Sequence, residues 1–207
     1  DVIQSYRDSI VHPHRQVLID KTCEFSPGKI LEIGCNCGPN LYLLAQHLPT
    51  AQLYGIDVNP MAIEIGSQWF SESGINNISL NVGKADDLGQ FPDNSFDVVF
   101  TDALLIFVGP DKIEKVIEEM FRVARKGLLL TEWHIFEHEH HAKNSLGIRQ
   151  HGMWKRDYTA LLKKYSSPER VTITKITEDI WPDMNWQTAG AFIQVFKKLR
   201  PERNQAV

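Results

Sequence analysis

After the first 26 residues, short β-type apolar runs alternate with segments of 3.6-residue periodicity, and this alternation narrows the possible folds more than any other feature. The runs are Lys29–Ile33, Gln52–Ile56, Ile78–Val82, Phe96–Thr101 and Gly127–Trp133, each rich in Ile, Leu, Val or Phe as strands buried on both faces must be. Between them, Pro39 opens a segment with Leu41, Leu44, Ala45 and Leu48 on one face, and Asn59-Pro60 is an N-cap followed by proline at the first helical position. Pro110 opens a third, with Ile113, Val116, Ile117, Met120 and Phe121 on one stripe; Tyr158, Leu161, Leu162 and Tyr165 repeat the spacing. Val171–Thr177 and Gly190–Lys197 follow without a helical pattern between them, so they are expected to pair antiparallel. The expected fold is α/β: a Rossmann-like three-layer sandwich around a seven-stranded, mostly parallel sheet ending in an antiparallel hairpin strand.

Two features of this frame bear on chemistry. Glu32-Ile33-Gly34-Cys35-Asn36-Cys37-Gly38 lies where the first strand turns into a helix, and glycines there allow close backbone approach to a ligand. About twenty residues on, Asp57 ends the second strand, where a carboxylate accepts both hydroxyls of a ribose. Nicotinamide and S-adenosylmethionine sites share this pair. The dinucleotide pattern G-x-G-x-x-G begun at Gly34 needs glycines at 36 and 39, where the chain has Asn36 and Pro39. The pattern acid-x-Gly-x-Gly-x-Gly is met at Glu32, Gly34 and Gly38 and departs only at Asn36, the non-glycine residue best suited to left-handed backbone. The spacing favours S-adenosylmethionine over a nicotinamide-dependent oxidoreductase.

With the run Phe91-Pro92-Asp93-Asn94-Ser95-Phe96-Asp97-Val98-Val99, residues 29–133 resemble the class I S-adenosylmethionine-dependent methyltransferases, in the broad type 11-like group. The resemblance implies that Glu32, Gly34, Cys35, Asn36 and Gly38 border the amino-acid moiety of the cofactor. It places Asp57 on the ribose, with Val58 or Asn59 beside the adenine. Gly83-Lys84-Ala85-Asp86-Asp87-Leu88 falls on the family's adenine-edge loop, and Thr101, Asp102 and Ala103 lie near the methionine portion. Lys84 departs from the family's usual Asp, because an ammonium cannot accept from the adenine amino group; Asp86 or a backbone carbonyl would substitute. The implied activity is methyl transfer to a small molecule, a non-catalytic S-adenosylmethionine-binding protein being the alternative.

If the acceptor must lose a proton, His134 is the first candidate base and Asp102 the second, both by position. In Trp133–His141 a metal is conceivable from His134, His138 and their neighbours, but the segment reads better as part of an acceptor lid and no metal site is expected. Trp154, Trp181, Met184 and Trp186 are candidates for an aromatic wall of the acceptor pocket, and Tyr6, Arg7, His12 and His14 belong to a segment expected to close over the cofactor. The organisation expected is an N-terminal helical lid (1–28), a methyltransferase domain (29–198) with an acceptor-side insertion (133–155), and a tail (199–207).

Composition sets the outer limits. A net charge of −4 gives no global basic field, which argues against a nucleic-acid partner. No run is long and apolar enough to span a bilayer, so no membrane partner is expected. Three cysteines, with Cys35 and Cys37 flanking one residue, suggest small turn residues and a reducing cytoplasm rather than a disulfide framework. The chain begins at Asp1 rather than Met and shows no signal-peptide h-region, so the N-terminus reads as trimmed. Nothing in the sequence indicates the oligomeric state.

Overall fold

The computed structural model describes residues 2–136 and 145–197. Seven strands form one sheet in the order β3-β2-β1-β4-β5-β9-β8. They are β1 (Lys29–Ile33), β2 (Gln52–Asp57), β3 (Ile78–Val82), β4 (Phe96–Asp102), β5 (Ala124–Trp133), β8 (Val171–Lys175) and β9 (Gly190–Phe196). The first five are parallel; β9 runs antiparallel to both β5 and β8. Strand order reverses between β1 and β4, and an open α/β sheet forms its ligand crevice at the carboxyl ends of such a pair.

Side chains alternate between the two faces, so both are apolar. Ile30, Val98, Phe100 and Leu129 pack under α2 (Pro13–Cys23), α3 (Pro39–His47), α4 (Pro60–Glu72) and α7 (Met184–Ala189). Leu31, Ile33, Val99, Leu128 and Leu130 pack under α5 (Ile113–Val123) and α6 (Tyr158–Leu162). At the N-terminus, α1 (Val2–Asp8) seats Ile3 against Cys37 and Ala62, and the Arg7 guanidinium lies 4.9 Å from the Trp69 ring.

The run Phe91–Val99 has a structural role throughout. Asp97 accepts from Gly28 N (2.7 Å) and Lys29 N (3.2 Å) and pairs with Arg125, fastening the start of β1 to β4 and β5. Asp93 pairs with Arg122 at 2.9 Å, while Asn94 turns the chain in left-handed backbone at φ 55°.

Several expectations need correction. The connection between the last two strands is not free of helix: Asp183 accepts from Asn185 N (3.0 Å) and Trp186 N (3.2 Å), starting α7. The helix expected to open at Pro110 starts at Ile113, because Lys112 N and Ile113 N both reach Gly109 O at 3.1 Å in a tight turn. The Tyr158 helix stops at Leu162. Within the expected insertion a second sheet forms from β6 (Ile148–Gln150) and β7 (Met153–Lys155). Its two-residue turn, His151-Gly152, has φ values of 51° and 83°, as a type I′ hairpin requires.

Candidate active site

The turn after β1 is built on positive φ at three places: Gly34 (76°), Asn36 (50°) and Gly38 (81°). Asn36 thus takes the left-handed conformation, and its Oδ1 accepts from Cys37 N at 2.8 Å. A Cβ at Gly34 would sit 2.8 Å from Leu104 Cδ1, so glycine keeps the backbone clear where the crevice begins. Asp57 holds the turn from the next strand: its carboxylate accepts from Asn36 N and Asn59 N, both at 2.9 Å.

Two cavities meet at this end of the sheet. One, of about 370 Å³, is lined by Gly34, Asp57, Val58, Lys84, Ala85 and Asp86 together with Leu104, Phe107 and Lys112. Asp86 pairs with Lys112 at 2.8 Å, and that hydrogen bond holds its carboxyl below the usual range. The second, of about 410 Å³, lies between the N-terminal segment and the β4 terminus, with Tyr6, His12, His14, Asp102, Trp181 and Trp186 among its walls. Phe107 borders both and is 65% exposed.

A buried polar network runs beneath the junction. Asp102 Oδ2 accepts from His14 Nε2 (3.0 Å), Asn40 Nδ2 (3.0 Å) and Arg15 Nη1 (3.3 Å). Asn40 Nδ2 also donates to Glu32 Oε1 at 2.7 Å, and its Oδ1 accepts from Arg15. Burial alone would raise the Asp102 carboxyl; the charge and hydrogen bond of His14, then Arg15 and Asn40, outweigh it and hold Asp102 well below the carboxylate range. Burial pushes Glu32 well above its ordinary value, against the Asn40 hydrogen bond. Glu32 Oε2 and Asp102 Oδ1 are buried with no hydrogen-bond partner among the described residues. Two acceptors left unmatched beside the glycine turn suit the ammonium of an amino-acid moiety, so the residues present fit S-adenosylmethionine.

Between the cavities, the loop 104–107 is held by two buried charged groups. Glu132, fully buried, accepts from Thr101 Oγ1 (2.8 Å), Leu104 N (3.1 Å), Leu105 N (3.0 Å) and Ile106 N (3.1 Å). Its burial pushes the carboxyl up to about 7 despite those four donors. Arg156, also fully buried, donates to the carbonyls of Leu105 (2.7 Å), Leu146 (3.1 Å) and Val108. Three successive backbone donors of this loop therefore end on a carboxylate, while the Leu105 carbonyl ends on a guanidinium.

Gly34, Asp57, Val58, Lys84, Ala85 and Asp86 line the first cavity and Asp102 the second, with Glu32 in the network beneath. Asn36 and Gly38 shape the turn without lining either cavity, and Cys35 is buried under it. Thr101 is fully buried and commits its hydroxyl to Glu132, so it braces the loop instead of facing the cofactor side. His134 is turned away from both cavities: it is 5% exposed, its Nδ1 accepts from Tyr158 N at 3.3 Å, and it meets Phe136 edge-on. It supports the start of α6, and it is not brought near Asp102 as a base. His138, His140 and His141 lie outside the described residues; among those described, no metal-holding cluster occurs. Trp181 and Trp186 stack 3.9 Å apart in the second cavity's wall, whereas Met184 is exposed and Trp154 lies under Arg156. Sequence reasoning missed Arg15, Asn40, Glu132 and Arg156.

Among known proteins, residues 30–127 match the methyltransferase domain family. Over 100 residues the chain is 34% identical to a demethylmenaquinone methyltransferase of Anoxybacillus flavithermus, covering 48% of this chain and 41% of that protein. Over 121 residues it is 30% identical to a human tRNA N(3)-cytidine methyltransferase, covering 56% of this chain and 43% of that one. The chain spans about half or less of the length of the curated relatives it matches. A S-adenosylmethionine-dependent methyltransferase from Aquifex aeolicus shares the fold with a TM-score of 0.62 at 17% identity, over 94% of this chain and 96% of that one. No described helix is long and apolar enough to cross a membrane. The sheet order, the glycine turn with its acid at the second strand and the domain match agree: residues 30–127 are a methyltransferase domain, on a fold shared with S-adenosylmethionine-dependent methyltransferases.

Proposed function

We propose that this chain transfers a methyl group from S-adenosylmethionine to a small, planar molecule. One observation carries the reading: the cavity walled by Trp181, Trp186 and Met153 adjoins the cofactor-side cavity at Phe107, a rim residue common to both. Its volume of about 410 Å³ accommodates a compact ring system, and stacked indoles offer such a ring a flat apolar face.

When bound, the cofactor supplies an electrophilic methyl on a sulfonium, and the chain supplies orientation and a dry site. Glu32 and Asp102 would receive the amino-acid end, Asp57 the ribose hydroxyls, and Val58, Lys84, Ala85 and Asp86 the adenine end. Residues 1–28 act as a lid in this reading, because Tyr6, Ser9 and His12 line the second cavity from above Asp102. Arg15 is the lid's anchor: it donates to Ser9 O (2.9 Å) and Ser9 Oγ (2.7 Å) on one side and reaches Asn40 and Asp102 on the other. The net charge of −4 speaks for a small molecule and against a nucleic acid. Transfer of labelled methyl from S-adenosylmethionine to a panel of small planar acceptors, run beside the same assay with tRNA, tests this. Label in the small-molecule fraction is the expected result; label only in tRNA contradicts it.

A further inference from the structure

We propose that His12 and His14 form a two-ring proton relay ending on Asp102, and that the methyl acceptor at this site is accordingly a hydroxyl compound, a phenol. The proposal rests on the methyl-transfer reading above and adds the acceptor atom and the base to it.

The geometry begins at the buried end. His14 is 3% exposed, and its Nε2 lies 3.0 Å from Asp102 Oδ2. An ionised carboxylate only accepts, so Nε2 of His14 carries the proton. Its other nitrogen, Nδ1, lies 2.6 Å from Nδ1 of His12. One of those two nitrogens donates and the other accepts. With His14 uncharged, Nδ1 of His14 is the acceptor and Nδ1 of His12 the donor, which leaves a lone pair on His12 Nε2. His12 is half-buried and lines the aromatic cavity. Trp181 fixes both rings, stacking on His14 at 4.1 Å and lying 5.0 Å from His12. A ring bound in this cavity therefore has His12 as a wall.

The step balances as follows. The acceptor O–H bond breaks and its proton goes to His12 Nε2. The proton on His12 Nδ1 passes to His14 Nδ1. The acceptor oxygen gains the methyl carbon as the S–C bond of the sulfonium breaks, so one positive charge disappears from sulfur and one appears on His14. That charge comes to rest against Asp102, which is ionised and buried, whereas the first turn of α2, where His14 sits, opposes a cation. Among the described residues, the other titratable groups around the pair are Arg15, which shares Asp102 Oδ2 at 3.3 Å, Tyr6 in the same cavity, and Glu32 behind Asn40. Burial lowers the pKa of His12, which favours its ring as an uncharged proton acceptor.

Ring-nitrogen NMR of the full chain, labelled at histidine and saturated with S-adenosylhomocysteine, gives one test. The expected pattern is a protonated Nε2 on His14 and an unprotonated Nε2 on His12; the reverse tautomer on His12 overturns the relay. The second test uses 4-nitrophenol as the acceptor probe, read by absorbance below its solution pKa. Wild type is expected to bind it as the coloured phenolate and to methylate it. His12→Gln is expected to bind it uncoloured, with S-adenosylhomocysteine affinity unchanged and transfer lower by about 10²–10⁴-fold. His14→Gln serves as a second variant should His12→Gln not fold. Wild-type transfer rates in a folded variant, or no binding of 4-nitrophenol by the cofactor-loaded protein, overturn the proposal. Absence of S-adenosylhomocysteine binding sinks the methyltransferase reading instead, and the tautomers of the free protein then decide the relay.

Discussion

Glu132→Ala is expected to unfold more easily than any other single replacement in this site, by about 3–5 kcal/mol in a denaturant titration. The carboxylate is fully buried and answers three backbone N–H groups, of Leu104, Leu105 and Ile106, and the hydroxyl of Thr101. Removing it leaves four donors in a closed space with no acceptor, and each such orphan costs on the order of 1–3 kcal/mol, partly relieved by water entering the cavity. Arg156 would remain on the carbonyls of Leu105 and Val108 with no acid opposite. Glu132→Gln should lose less, because its one carbonyl oxygen still receives some of the donors. A mutant as stable as wild type would show that the loop 104–107 is not held from this point.

The second large effect is at Asp102. Asp102→Ala removes the common acceptor of His14, Arg15 and Asn40 and leaves the Arg15 guanidinium, 4% exposed, without its carboxylate. Breaking a buried pair on one side costs about 3–5 kcal/mol. That cost falls on the docking of α1 and α2, since Arg15 is what joins Ser9 to the core network. The expected outcome is methyl transfer at background level, together with fast amide exchange over residues 2–23, while the β-sheet amides exchange as in wild type. Fast exchange throughout would mean that the network supports the whole domain, and unchanged exchange would mean that it does not dock the N-terminal segment. Asp102→Asn keeps the shape but replaces the charge, and is expected to retain the docked segment better than the alanine variant.

The sheet was readable in the sequence because both of its faces are covered, so its strands are continuous apolar runs such as Lys29–Ile33 and Phe96–Thr101. The glycine turn and Asp57 were readable because their backbone and spacing requirements are local. Left-handed Asn36 is such a case, at φ 50°. What was not readable depends on groups far apart in the chain. Arg15 and Asp102 are 87 residues apart and Asn40 and Asp102 are 62, and neither Arg15 nor Asn40 stands in a local pattern. Strands of three residues, as in β6 and β7, are too short to show a period, and α7 buries only Trp186 and Ala189. His134 lines neither cavity, for a physical reason that the period of a strand supplies. A residue at a strand's carboxyl end faces the ligand only if its side chain leaves on the right face, and His134 leaves on the one covered by Tyr158.

The central claim is that the turn 32–38 and Asp57 hold S-adenosylmethionine. Calorimetric titration of the full chain with S-adenosylmethionine, S-adenosylhomocysteine and NAD, repeated on Asp57→Ala, tests it most directly. Both sulfur compounds should bind and NAD should not, and the variant should lose at least about 1.5 kcal/mol of affinity, because a charged acceptor for two hydroxyls is gone. Binding of NAD with no response to either sulfur compound would contradict the account.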